Sequence, residues 1–148
     1  MWNVKREMWN VKCGTYNVKC EMWNVKCESI MEGYKTFMEN KCMDFAVCIV
    51  NLYKHLTQNK KESILSKQLL RSGTSVGANY AEATNAISKA DFIAKISISL
   101  KECSESKYWI ELLYRTNYLN REEYESILKD CNELKALLTT TIKKQKER

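Results

Sequence analysis

The sequence predicts an all-α fold: an antiparallel up-down-up-down four-helix bundle preceded by a heptapeptide-repeat extension. Three observations predict it. The 148 residues include no proline and only four glycines, whereas turn-rich β architectures need many of both. From Met31 onward, apolar residues recur at steps of three and four, the period of an amphipathic helix. Four such runs are separated by short polar stretches that carry helix-capping residues.

The extension comes first. "MWNVKREMWNVKCGTYNVKCEMWNVKCE" writes one seven-residue unit four times, with Met1, Val4, Met8, Val11, Val18, Met22 and Val25 at positions resembling a and d of a coiled coil. Thr15 breaks that series, Gly14 interrupts it, and the recurring Asn and Val weaken helix propensity. A coiled coil would preserve its a and d residues without copying Asn-Val-Lys each time. A seven-base DNA word read through all three frames accounts for the copying without selection on structure. Residues 1–30 therefore read as an upstream extension without function, with Met31 as a natural start and 31–148 as the domain. Cys13, Cys20 and Cys27 are seven apart and would line one helix face as a soft-metal site, although copying alone explains their spacing.

The first predicted helix carries Met38, Cys42, Phe45, Ile49, Leu52 and Leu56 on one stripe, widened by Ala46, Val50 and Tyr53. Asn59 followed by Glu62 has capping-box spacing and is expected to open the second, whose stripe is Leu65, Leu69, Ser72, Val76, Asn79 and Ala83. Ser88 and Asp91 open a third, with Phe92, Ile96, Ser99, Cys103, Ser106, Ile110 and Leu113 along it. Asn120 and Glu123 open a fourth, containing Tyr124, Ile127, Cys131, Leu134, Leu138 and Thr141. The small residues Ser72, Gly73, Ser75, Gly77, Ala78 and Ala81 allow close approach of a neighbouring helix. Ile93, Ile98, Leu100, Tyr108 and Trp109 give the third helix apolar surface off its main stripe, which self-association would bury.

A 45% hydrophobic and 28% charged composition describes a soluble globular chain. No run approaches the roughly 18 apolar residues of a membrane span, and the N-terminus lacks a signal peptide's apolar core. A cytoplasmic location with reduced thiols is the expectation, and Cys42, Cys48, Cys103 and Cys131 read as apolar core fillers. The net charge of +6 points toward acidic partners such as RNA or DNA.

The candidate binding residues are Lys54, Lys60, Lys61, Lys67 and Arg71, within a segment whose only acid is Glu62. Lys60, Lys67 and Arg71 fall at i, i+7 and i+11, so one helix would present them as a stripe toward phosphates. A solvated helix face explains them equally, and Arg71 has a structural alternative in pairing with Glu82 or Glu102 from a neighbour. The tail from Lys143 to Arg148 reads as a frayed, solvated end with a smaller claim to RNA.

Catalysis is not expected. "RSGTSVG" lacks the preceding strand and the Gly-Lys-Ser/Thr ending of a phosphate loop, and Ser72 and Ser75 have no base nearby. Glu102, Glu105 and Glu111 are not accompanied by the Glu-x-x-His pairs of a di-metal bundle, and His55 is the single histidine. No C-x-x-C pair offers a zinc site, so no cofactor or metal is expected.

"QLLRSGTSVGAN" (Gln68 to Asn79), "DFIAK" (Asp91 to Lys95) and "YWIELL" (Tyr108 to Leu113), in this order and spacing, resemble the small four-helix-bundle proteins encoded within intervening sequences of bacterial large-subunit ribosomal RNA genes. The resemblance covers residues 36–145. Tyr80-Ala81 departs from the family's commoner Arg-Glu pair. The resemblance implies a homo-oligomer, a pentameric ring or barrel. It also implies a relation to accessory proteins of diversity-generating retroelements, which bind a reverse transcriptase and nucleic acid through a basic surface. The alternative it leaves open is a scaffold that binds only protein.

Overall fold

One acidic side chain decides where the second helix begins. In a computed structural model of the protein, which describes residues 23–147, α1 (Trp23–Asn59) runs through to Asn59. Asn59 thus closes a helix instead of opening one, and its amide turns back to His55 Nδ1 at 2.8 Å. Lys61 adopts the left-handed conformation (φ 57°) common after a helix C-terminus. The N–H groups of Lys60 and Glu62 both return to the Leu56 carbonyl. The Glu62 side chain then folds over the start of α2 (Leu65–Thr84). Its Oε1 accepts from the N–H groups of Ile64 and Leu65 at 2.9 and 2.7 Å, and Oε2 accepts from Ser66 N–H at 2.8 Å. The expected Asn59–Glu62 box is therefore replaced by a carboxylate cap from Glu62 alone, because Glu62 lies close enough to reach three of the helix's unpaired amides at once.

The other two helix starts follow the expected chemistry. Ser88 Oγ accepts from Asp91 N–H at 3.1 Å ahead of α3 (Lys89–Arg115). The Asp91 carboxylate takes the N–H of Ile87 rather than that of Ser88. Asn120 and Glu123 form a complete reciprocal capping box ahead of α4 (Arg121–Lys146), with both bonds at 2.9 Å. Among the described residues these four helices are the regular structure, and they form a four-helix bundle.

Small residues set how closely the helices approach. Gly73 lies against Ile49 of α1 and Gly77 against Cys42, so α2 meets α1 at van der Waals contact. On the α3 side, Ser99 donates to the Val76 carbonyl at 2.7 Å and Ser106 donates to Ser72 Oγ at 2.9 Å. Cys103 meets Cys131 between α3 and α4, and Tyr114 stacks on Tyr124 with ring centroids 4.1 Å apart. Lys41 reaches Glu133 at 3.0 Å between α1 and α4. At the α1–α2, α2–α3 and α3–α4 seams, position rises along one helix as it falls along the other.

The first, third and fourth stripes are buried nearly as predicted, with Phe92 and Tyr124 half-buried. The second drifts. Asn79 is half-buried and bonds within its own helix to Ser75, while Tyr80, 4% exposed, enters the core. A stripe at 3.6 residues per turn passes from Val76 to Tyr80 and Ala83, and the larger apolar ring takes the inward position. Cys48 is half-buried rather than a core filler, unlike Cys42, Cys103 and Cys131. The chain divides into two units, Met1–Tyr34 and Lys35–Arg148, the second being the bundle. Most of the heptapeptide repeat, with Cys13 and Cys20 and the soft-metal reading attached to them, lies outside the described residues.

Burial by itself pushes the Glu62 carboxyl up, but the amides of Leu65 and Ser66, the Ser66 side chain and the Ile64 amide outweigh it and hold the group below its usual value of 4.5. Replacing Glu62 with Ala is expected to cost about 2 kcal/mol in urea unfolding. Because the folded value lies below the unfolded one, this contribution is complete above the unfolded value and disappears as pH falls through the folded one. Glu62→Gln removes that acid-dependent component from the stability profile.

Gly73→Ala would place a Cβ 2.9 and 3.0 Å from the two branches of Ile49. The helix gains about 1 kcal/mol from the exchange, whereas overpacking a stiff β-branched neighbour costs about 1–3 kcal/mol, so a net loss is expected. Combining it with Ile49→Ala removes both branches. Urea unfolding of the double variant should then show less than the sum of the two single losses.

Candidate nucleic-acid interface

Five cations between residues 54 and 71 are all exposed, but the structure distributes them differently from a single stripe. Lys54 sits on the last turns of α1, Lys60 and Lys61 on the connection, and Lys67 and Arg71 on the outer face of α2. The i, i+7, i+11 stripe therefore does not exist as one helix face, because α1 ends before Lys60 and α2 begins after Glu62. Lys67 and Arg71 remain i, i+4 neighbours, about 6 Å apart at their Cβ atoms.

The electrostatics of the segment follow from Glu62. It is the only acid between Lys54 and Arg71, and it is 6% exposed with its carboxylate occupied by helix amides. The charge the segment shows to solvent is thus positive throughout. Elsewhere four cations are matched: Lys41 with Glu133, Lys95 with Glu82, Arg115 with Glu111 and Arg121 with Glu125. Among the described residues, Lys54, Lys60, Lys61, Lys67 and Arg71 form no ion pair. Within the chain, Glu82 is taken by Lys95.

Lys60 also borders an open recess of about 450 Å³ with His55, Asn117, Leu119, Asn120 and Glu123. The recess joins the end of α1 to the turn between α3 and α4, and His55 Nε2 lies 3.9 Å from the Glu123 carboxylate. No sequence signal connects these residues, since some sixty positions separate Lys60 from Asn120 and the helix packing alone unites them. Glu62 did carry a signal, an acid just ahead of a helix, but one compatible with two different caps.

Ser72 is buried, donates to the Leu69 carbonyl and accepts from Ser106, so its hydroxyl serves packing between helices. Glu105 accepts from the Trp109 indole N–H and Glu111 pairs with Arg115, leaving no convergent carboxylate set. Among the described residues, no group of three His, Cys, Asp or Glu side chains is placed to hold a metal ion. No described helix is long and apolar enough to cross a membrane. Apolar side chains do reach the surface: Met43 and Val47 on α1, and Ile98 and Tyr108 on α3.

The sequence pattern of the 23S rRNA-intervening sequence proteins matches residues 35–140. The chain is also similar to a crystal structure described as a protein with unknown function from the S23 ribosomal protein family, from Bacteroides thetaiotaomicron VPI-5482. The two share 54% sequence identity with a TM-score of 0.73, covering 74% of this chain and 97% of that one. No curated protein matches.

Since neither Lys67 nor Arg71 is held by a partner, Lys67→Glu and Arg71→Glu should each change unfolding stability by less than about 0.5 kcal/mol. A larger loss in urea titrations would identify a structural ion pair in place of a free cation.

Proposed function

This chain belongs to the 23S rRNA-intervening sequence protein family, and on that premise we propose that it is a non-enzymatic, oligomeric four-helix bundle that binds nucleic acid through Lys54, Lys60, Lys61, Lys67 and Arg71. One observation carries the reading. The segment's only acid is turned inward to cap α2, so five cations outside any ion pair face solvent without a counter-charge from their own segment. Cations left this way attract phosphate and release the counterions condensed on it, the main source of sequence-independent affinity. Their spread over a helix end, a connection and a helix face suits a curved backbone better than a single anion.

Self-association fits the exposed apolar side chains of α1 and α3, and a ring of copies would repeat the cationic surface around its axis. Contacts that are weak singly would then act together. The same apolar surface favours a second reading, an accessory subunit such as one serving a reverse transcriptase, in which the protein contact carries the affinity and the cations serve solubility.

Fluorescence anisotropy of the full-length protein with structured RNA and matched duplex DNA, at several salt concentrations, separates the two. The proposal expects micromolar or tighter binding whose logarithm falls with log salt by about 0.7–0.9 per phosphate contacted. Lys67→Glu combined with Arg71→Glu should weaken binding and flatten that slope. No binding at low salt, together with salt-independent capture of a protein partner, would replace it with the accessory-subunit reading.

A further inference from the structure

Cys103 of α3 and Cys131 of α4 are both 0% exposed, with sulfurs 3.7 Å apart. Each sulfur also lies 3.3 Å from the carbonyl oxygen of the other residue. This reciprocal reach brings the two backbones close, because a cysteine sulfur extends only two bonds from its Cα. A disulfide requires a sulfur separation of about 2 Å and Cα atoms within about 7 Å, a closure that small side-chain rotations between touching helices supply. Cys42 is also buried, but it faces Gly77 on the α1–α2 seam. Of Cys42, Cys48, Cys103 and Cys131, Cys48 has the most solvent access.

We propose that Cys103 and Cys131 form a redox pair, which hydrogen peroxide converts into a disulfide tying α3 to α4. Peroxide is small enough to enter through the ordinary breathing of a packed bundle, whereas a bulky disulfide such as oxidised glutathione is not. Cys131 loses its proton and attacks one peroxide oxygen. The O–O bond breaks to leave a sulfenic acid and hydroxide, which takes up a proton to become water. The Cys103 sulfur then displaces the sulfenic hydroxyl, and its own proton leaves with that group as a second water. The two sulfurs together lose two electrons and the peroxide gains them.

The surroundings favour this order. The contact with the Cys103 sulfur outweighs burial and the Asp130 charge and, with the positive charges of Lys107 and Lys135, holds the Cys131 thiol below its usual range. The same sulfur contact, together with burial, pushes the Cys103 thiol up.

Trypsin makes the test direct, because the two cysteines fall in separate short peptides, "ECSESK" (102–107) and "DCNELK" (130–135). Full-length protein is treated with peroxide, quenched, denatured, alkylated and digested. The proposal expects these two peptides joined, lighter than their sum by two hydrogen atoms and separated by dithiothreitol. Oxidation should also raise the urea midpoint, and dithiothreitol should reverse the rise. Cys103→Ser and Cys131→Ser should each lose both the link and the shift, while Cys48→Ser keeps both. Recovery of the two peptides singly alkylated while Cys48 is oxidised would overturn the proposal. So would a sulfinic acid on Cys131 without the link, or a link from Cys103 to Cys42; each reads from the wild-type chain without any variant.

Discussion

The inward turn of the Glu62 carboxylate is the constraint from which the rest of this molecule follows. By accepting from Ile64, Leu65 and Ser66, it starts α2 and so fixes the rotational phase of every residue along that helix. That phase points Ser72, Val76 and Tyr80 inward and Lys67 and Arg71 outward. The same contact removes the one negative side chain from a run of five positive ones. Local helix capping and surface potential are usually separable properties of a protein; here one side chain determines both.

Packing around α2 depends on the absence of side-chain volume. Gly73 and Gly77 admit Ile49 and Cys42 from α1, while Ser72, Ser99 and Ser106 let α3 approach and satisfy their hydroxyls across or within the helices. A buried hydroxyl without a partner would cost free energy, yet every buried side-chain oxygen and nitrogen described is bonded. The facing cysteines continue this pattern at the α3–α4 seam. Small polar side chains therefore do structural work that a sequence reader could mistake for chemistry, as "RSGTSVG" illustrates.

Much of the fold was legible because the signals were local. Ser88 and Asn120 cap the helices they precede, and the stripes of α1, α3 and α4 are the buried faces, since caps and 3.6-residue periodicity depend on neighbours a few positions away. Two misreadings have a common origin. Asn59 and Glu62 have the spacing of a capping box, but the turn geometry after Leu56 gives the carboxylate to other amides. Lys60, Lys67 and Arg71 have the spacing of a helical stripe, but the same turn ends one helix and begins another between them.

The sequence by itself determined the helical class, the number of helices, most of their inward faces and the cationic character of residues 54–71. Each of these is written in residue type and short-range spacing. Only the tertiary structure decided that Glu62 is buried, that Tyr80 displaces Asn79 from the core, that Lys60 shares a recess with Asn117 and Asn120, and that Cys103 meets Cys131. These are juxtapositions between segments far apart in the chain. They are selected by the packing of whole helices, whose energy is summed over the entire interface and is not encoded at any one position.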